Sequence, residues 1–89
     1  MTEQQAEKLF IEKIGYCEGC RIKDDTLVVH HLEKKLSHPD KRFDVDNWCV
    51  LCWKCHLITE QGGYVRAKKY TAKEFNDYLK NVIIKKRKR

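Results

Sequence analysis

The sequence predicts a small α+β fold, and three observations carry that prediction. Two Cys-x-x-Cys pairs, Cys17/Cys20 and Cys52/Cys55, are separated by thirty-one residues. Between them run two short apolar segments, Thr26 to His31 or Leu32 and Trp48 to Leu51, that read as strands. Outside them lie two stretches whose apolar residues recur at helical spacing. Two chelating turns facing each other are what tetrahedral zinc requires. The expected architecture is a zinc-stapled β-hairpin plus helix, with flanking N- and C-terminal helices.

Eighty-nine residues suit one domain. Its expected parts are an N-terminal helix (1–15), a zinc-stapled core (16–62) and a C-terminal helix with a basic tail (63–89). With 42% hydrophobic and 36% charged residues the core must be small, and domains of this size borrow stability from a metal or disulfides. The start, Met1 to Glu7, is polar and reads as no signal peptide. No segment reaches the roughly 18 apolar residues of a membrane span. The expected location is therefore the cytoplasm, with no membrane partner. In that reducing compartment five cysteines favour metal over disulfides.

The net charge of +6 is unevenly spread. Residues 1–65 hold nine basic and eleven acidic side chains, whereas residues 66–89 hold ten and two. The last five, Lys85, Lys86, Arg87, Lys88 and Arg89, form a block that attracts phosphate without reading sequence. A solvated helix end, its cations suiting the helix dipole, is the bland alternative.

Taken in order, Thr2 is placed to cap a helix that carries Ala6, Leu9, Phe10 and Ile14 and stops at Gly15. That helix is packing, or a narrow partner-binding face. Gly19 sits inside the first Cys-x-x-Cys turn, where its freedom suits a tight bend. Glu33 to Asp46 is polar, contains the only proline, Pro39, and reads as a long loop. Its Lys34, Lys35, His38, Lys41 and Arg42 could meet phosphate, with Phe43 as an anchor; for His38 a solvated position is the stronger reading. Cys49 reads as a core thiol, because zinc is already satisfied. Trp48 and Trp53 read as packing residues rather than platforms for nucleobases, although Trp53, next to the knuckle, could be exposed. A helix begins near Cys52 or Trp53 and ends at Gly62-Gly63. Tyr64 to Tyr70 reads as a basic connector. Thr71 to Glu74 is a capping box, after which Phe75, Tyr78, Leu79, Val82 and Ile83 trace an amphipathic helix.

Histidines surplus to the zinc site raise the functional question. His30 and His31 are neighbours on a strand, so their side chains point to opposite sides. His56 follows the last cysteine and could reach the same side as one of them. A divalent ion held by two protein ligands keeps positions open for water and phosphate, and a free histidine beside it could take a proton from the attacking water.

The segment Val29-His30-His31-Leu32, then Phe43, Asp44, Asp46 and Asn47, then Leu51-Cys52-Trp53-Lys54-Cys55-His56, framed by Cys17 and Cys20, resembles the HNH endonuclease family. More narrowly it resembles the branch with a four-cysteine zinc knuckle and a ββα-metal fold, over about residues 16–62. The resemblance implies roles. His30 and His56 would be ligands of a catalytic divalent ion, and His31 the general base. Asn47 would brace the backbone that aligns His31. Cys17, Cys20, Cys52 and Cys55 would hold structural zinc. Some members place a third ligand four residues beyond the final histidine, which here is Glu60, a position equally suited to a surface glutamate. Magnesium favours oxygen ligands, whereas two imidazoles lean toward Mn²⁺, Ni²⁺ or Zn²⁺.

The expected function is thus a metal-dependent DNA endonuclease that nicks or cuts both strands. The resemblance implies phages and mobile elements as homes, and hence the host cytoplasm. A chain this small cannot read a long site, so a homodimer or a phage or mobile-element protein would supply any specificity. The rivals are a catalytically silent nucleic-acid-binding module and a protein inhibitor built on the same scaffold.

Overall fold

The computed structural model describes residues 2–32 and 44–87. The loop expectations for Lys34, Lys35, His38, Lys41, Arg42 and Phe43 lie outside the described residues, as do those for Lys88 and Arg89.

Helix α1 spans Glu3–Ile14. Thr2 caps it as expected: its hydroxyl accepts from the Gln5 N–H, and the Gln5 side chain accepts from the Thr2 N–H. Strand β1, Val28–His31, pairs antiparallel with β2, Trp48–Leu51, setting His30 opposite Cys49 and His31 opposite Trp48. The first strand starts two residues later than the composition suggests. Asp24 accepts hydrogen bonds from both the N–H and the hydroxyl of Thr26, and that local turn competes with the sheet.

β2 is buried on both faces, and the two faces meet different partners. Cys49 and Leu51 enter the larger core with Cys17, Ile58, Phe75, Leu79 and Ile84. Trp48 and Val50 face Phe10 of α1, whose ring meets Trp48 edge-on at 5.5 Å between centroids. Helix α2, Trp53–Gln61, follows directly. It ends at Gly62, where φ is +75° and a Cβ would fall 2.8 Å from the Tyr70 carbonyl oxygen. Only glycine satisfies both conditions.

The expected connector proves to be a second hairpin. β3, Gly63–Val65, pairs with β4, Lys68–Tyr70, through Arg66 and Ala67, whose φ angles are +50° and +70°. A two-residue turn with both φ positive normally advertises itself as Asn-Gly. Here it carries neither residue, so the sequence hid it.

Helix α3, Ala72–Tyr78, begins at the Thr71/Glu74 capping box and runs on as a π-helical stretch, Leu79–Ile84, into α4, Lys85–Arg87. Each π turn takes up one extra residue, since its hydrogen bonds run i to i+5. The residue under buried Leu79 is therefore Ile84 rather than Ile83, and Ile84 is 4% exposed. The whole is an α+β fold: a hairpin and crossing helix form the core, a second small hairpin follows, and helices flank both.

Candidate active site

The four cysteines of the two pairs converge, their sulfurs all within 4.8 Å of one another. The Cys20 and Cys52 sulfurs are 3.7 Å apart. Tetrahedral zinc with bonds of about 2.3 Å sets its sulfurs about 3.8 Å apart, so the cluster fits the ion. The Cys20 N–H points at the Cys17 sulfur, 3.5 Å away, as expected for a thiolate that must share its charge. Gly19 is needed here for space rather than for an unusual backbone angle: a Cβ would lie 3.1 Å from the Cys55 sulfur and 3.0 Å from the Phe75 ring. The left-handed residue of this turn is Arg21, at φ +68°.

Four thiols this close do not ionise independently. The hydrogen bond from Cys55 pulls Cys17 down to about 4, and the same contact pushes Cys55 far above its ordinary value. A divalent cation resolves the conflict by letting all four ionise together. Cys49 stands apart from the cluster, fully buried, and burial pushes its thiol up to about 12. It is a core residue.

Strand alternation sends the two adjacent histidines to opposite faces. His30 meets His56 of α2, with ring centroids 5.4 Å apart and planes at 71°. Its Nε2 lies 3.0 Å from Oδ1 of Asn76 on α3. The Asn76 amide nitrogen donates to the carbonyls of Thr59 and Ala72, which fixes the amide so that Oδ1 faces the ring. An oxygen can only accept, so His30 carries its proton on Nε2 and keeps its lone pair on Nδ1. Histidines that bind metals are oriented in this way, by a partner on the nitrogen that does not coordinate. Burial also lowers the His30 pKa below its ordinary 6.5, which keeps the ring neutral at physiological pH. Its stabilising effect is accordingly complete above 6.5 and drains away as pH falls through the lowered value. Glu60 is exposed one turn beyond His56, and its charge acts on His30.

His31 sits on the other face, edge-on to Trp48 at 5.6 Å. Its Nε2 is 3.7 Å from a Glu3 oxygen and 3.6 Å from a Glu7 oxygen, too long for hydrogen bonds but close enough for the charges to act. One turn separates the two glutamates on α1. This trio is the second group of donors among the described residues that closes to within 4.8 Å. The Asn47 carbonyl accepts from the Leu32 N–H at 2.9 Å, which ties down the residue after His31. Asn47 itself is buried, 6% exposed, and its own N–H reaches the Asp44 carbonyl.

Of the described tail residues, Lys85 and Lys86 are exposed but Arg87 is not. The π stretch turns Arg87 inward, one turn beyond Ile84. Its guanidinium ion-pairs with Glu18 at 3.1 Å, donates to the carbonyls of Val45 and Trp48, and lies over the Phe10 ring. Arg87 thus ties the C-terminal helix to the first Cys-x-x-Cys turn, a use the charge run does not suggest.

A β-hairpin and crossing helix, stapled by four cysteines and bearing histidines on strand and helix, define a zinc-knuckle protein of the ββα-metal class. The chain belongs to the HNH endonuclease family, whose model matches residues 17–61, just over half of its length. No curated protein and no solved structure matches it. All four cysteines, His30, His31, Asn47, His56 and Glu60 fall inside the matched segment, whereas Glu3, Glu7, Asn76 and Arg87 fall outside it. Glu3, Glu7 and Asn76 carry no site signal in the sequence, and Arg87 reads there only as part of the phosphate-attracting tail. The spacing of Glu3 and Glu7 was the one signal available, and it pointed to a helix face rather than to a histidine. Among the described residues no helix is long and apolar enough to cross a membrane.

Proposed function

We propose that the protein is a metal-dependent endonuclease that hydrolyses phosphodiester bonds in DNA, built on a structural zinc held by Cys17, Cys20, Cys52 and Cys55. The observation that carries this reading is the convergence of His30 and His56 from strand and helix, with Asn76 fixing the His30 tautomer. These two imidazoles would hold a divalent ion; Glu60, exposed one turn along α2, does not close with them to within 4.8 Å and would have to swing in to add an oxygen. Such an ion, when bound, supplies positive charge at the scissile phosphate and the leaving oxygen. The donor set favours Mn²⁺, Ni²⁺ or Zn²⁺ over Mg²⁺.

His31 is the base in this reading. Glu3 and Glu7 face Nε2 and favour the tautomer that carries its proton there, which places the lone pair on Nδ1. Taking a proton from water creates a positive ring, and the two carboxylates are placed to stabilise it, much as a buried carboxylate serves a catalytic histidine elsewhere. Water oxygen then bonds to phosphorus as the sugar oxygen departs. Asn47 holds the end of β1 through its carbonyl, so the base does not drift. The exposed Lys85 and Lys86, with Lys88 and Arg89 beyond them, add affinity for phosphate without selectivity.

Supercoiled plasmid incubated with the zinc-loaded protein and Mn²⁺ or Ni²⁺ should become nicked or linear. His31→Ala should slow that conversion about 100-fold or more, the usual worth of a general base. Equal rates for the two proteins would leave a DNA-binding module as the surviving account.

A further inference from the structure

Trp53 reads from sequence as a packing residue that could be exposed beside the knuckle; it is 52% exposed, and Tyr64 on β3 is 69% exposed. The two line one open groove of about 220 Å³ that also takes in Cys20, Cys52 and Cys55 of the cluster, with Val65, Lys54 and Arg66 on its lining. Trp48, by contrast, is 2% exposed, so the two tryptophans have different employment.

We infer that this groove binds unpaired nucleobases of a single DNA strand, stacked on Trp53 and Tyr64, with Arg66 and Lys54 on the adjoining phosphates. The inference rests on the nucleic-acid reading above and gives that site a substrate class. Flat aromatic faces bordered by cations are how proteins grip single strands without reading sequence. Lys54 already lies over the Trp53 ring, 5.7 Å from its centroid. Arg66 has no hydrogen bond or ion pair among the described residues, and Lys69 is exposed on the next strand. Asp24 is the one acid on the lining, and its carboxylate is occupied by Thr26.

Backbone strain gives independent support. Arg66 and Ala67 occupy left-handed conformations that glycine or asparagine adopts more readily. Strain of that kind persists where a displayed side chain has a use, and here the displayed side chain is a guanidinium at the hairpin tip.

Position adds a third argument. At 100° per residue, Trp53, His56 and Glu60 fall within roughly a 60° arc of α2, and Trp53 to His56 is a rise of about 4.5 Å. A base on Trp53 would therefore leave its neighbouring phosphate close to the His30–His56 pair. A duplex keeps its bases stacked away from such a platform, so the geometry favours nicked, frayed or single-stranded DNA.

The test uses the full zinc-loaded chain with no further divalent ion and an oligothymidylate of about 12 nucleotides, within the site size of single-strand binders. Because Trp48 is buried, quenching of intrinsic fluorescence by a bound base reports chiefly on Trp53. Saturable quenching is expected, with weaker binding to a duplex of the same length. Trp53→Ala, which removes the reporter and is read by the anisotropy of a dye-labelled oligothymidylate, and Tyr64→Ala should each lower affinity by about fivefold to 100-fold, the worth of one stacked base. Arg66→Gly should raise the thermal midpoint, because it relieves the turn, yet weaken binding. Tyr64→Ala keeps the test decisive should Trp53→Ala fail to fold. Unchanged affinity in these variants, or a duplex bound as tightly, overturns the proposal. So does equal quenching by an acidic peptide, which would make the groove a protein-docking face. Oligothymidylate binding that survives in a His31→Ala protein unable to nick plasmid supports the groove apart from the chemistry. Plasmid nicking with no effect of Trp53→Ala on binding sinks the groove alone.

Discussion

Cys52→Ser is expected to abolish the native fold rather than weaken it. Cys17, Cys52 and Cys55 are each at most 3% exposed and belong to the larger core together with Leu51, Phe75 and Leu79. The staple and the core are therefore one object. Binding of structural zinc contributes on the order of 10–16 kcal/mol at neutral pH, whereas a whole domain is stable by only about 5–15 kcal/mol. Losing one thiolate takes most of that binding away. It also leaves the remaining sulfurs in the conflict that drives Cys17 down and Cys55 up. Near-ultraviolet circular dichroism should lose its tertiary signal in Cys52→Ser, and in the wild type treated with a strong chelator. Cys49→Ala is the control. That side chain is equally buried but lies outside the metal cluster, so the variant should fold and still bind one zinc. A chelated wild type that still melts cooperatively at its usual midpoint would refute the staple.

Arg87→Ala is expected to be the most damaging substitution away from the cysteines, although it lies in what reads as a disposable basic tail. Glu18 is buried, its carboxylate accepting from the Val50 N–H at 2.9 Å and from Arg87 at 3.1 Å. Removing the guanidinium strands that charge and frees the Val45 and Trp48 carbonyls it bonds. Breaking such a buried pair costs about 3–5 kcal/mol, which for a chain of this size lowers the thermal midpoint by roughly 15 °C or more. The pH dependence follows from Glu18. Burial raises its pKa despite Arg87, so the folded state favours the protonated acid. A group raised in the fold adds stability at low pH and loses it as pH rises through the folded value. The deficit of Arg87→Ala should therefore narrow on acidification, where Glu18 takes a proton. Lys86→Ala, which removes an exposed cation, should change the midpoint by a degree or two on the order expected of surface sites. Equal effects of the two substitutions would contradict the anchor.

What could be read from the sequence was local chemistry. Cys-x-x-Cys spacing announced the staple, Thr2 and Thr71 announced the helix starts, and the apolar run Trp48–Leu51 announced the buried strand. Each depends on neighbours within a few residues. The parts that stayed hidden depend on long-range packing or on rules broken locally. Arg66-Ala67 makes a turn without the residues that signal one. The π stretch rotates Ile84 and Arg87 inward, which no 3.6-residue periodicity predicts. Asn76, 46 positions from His30, meets it only because α3 packs on α2. For the candidate site, strand alternation separated the face of His30 from that of His31, but said nothing of which one His56 would meet or of Glu3 and Glu7, which α1 brings across.

The central claim is that His30 and His56 share a cation, and calorimetric titration of the zinc-loaded protein with Ni²⁺ tests it most directly. One further ion is expected per chain. His56→Ala should abolish its binding, and Asn76→Ala should weaken it about 10- to 100-fold by releasing the His30 ring. Uptake that is unchanged in His56→Ala, or that disappears instead when Glu3 and Glu7 become glutamine, would place the ion at His31 and contradict the account.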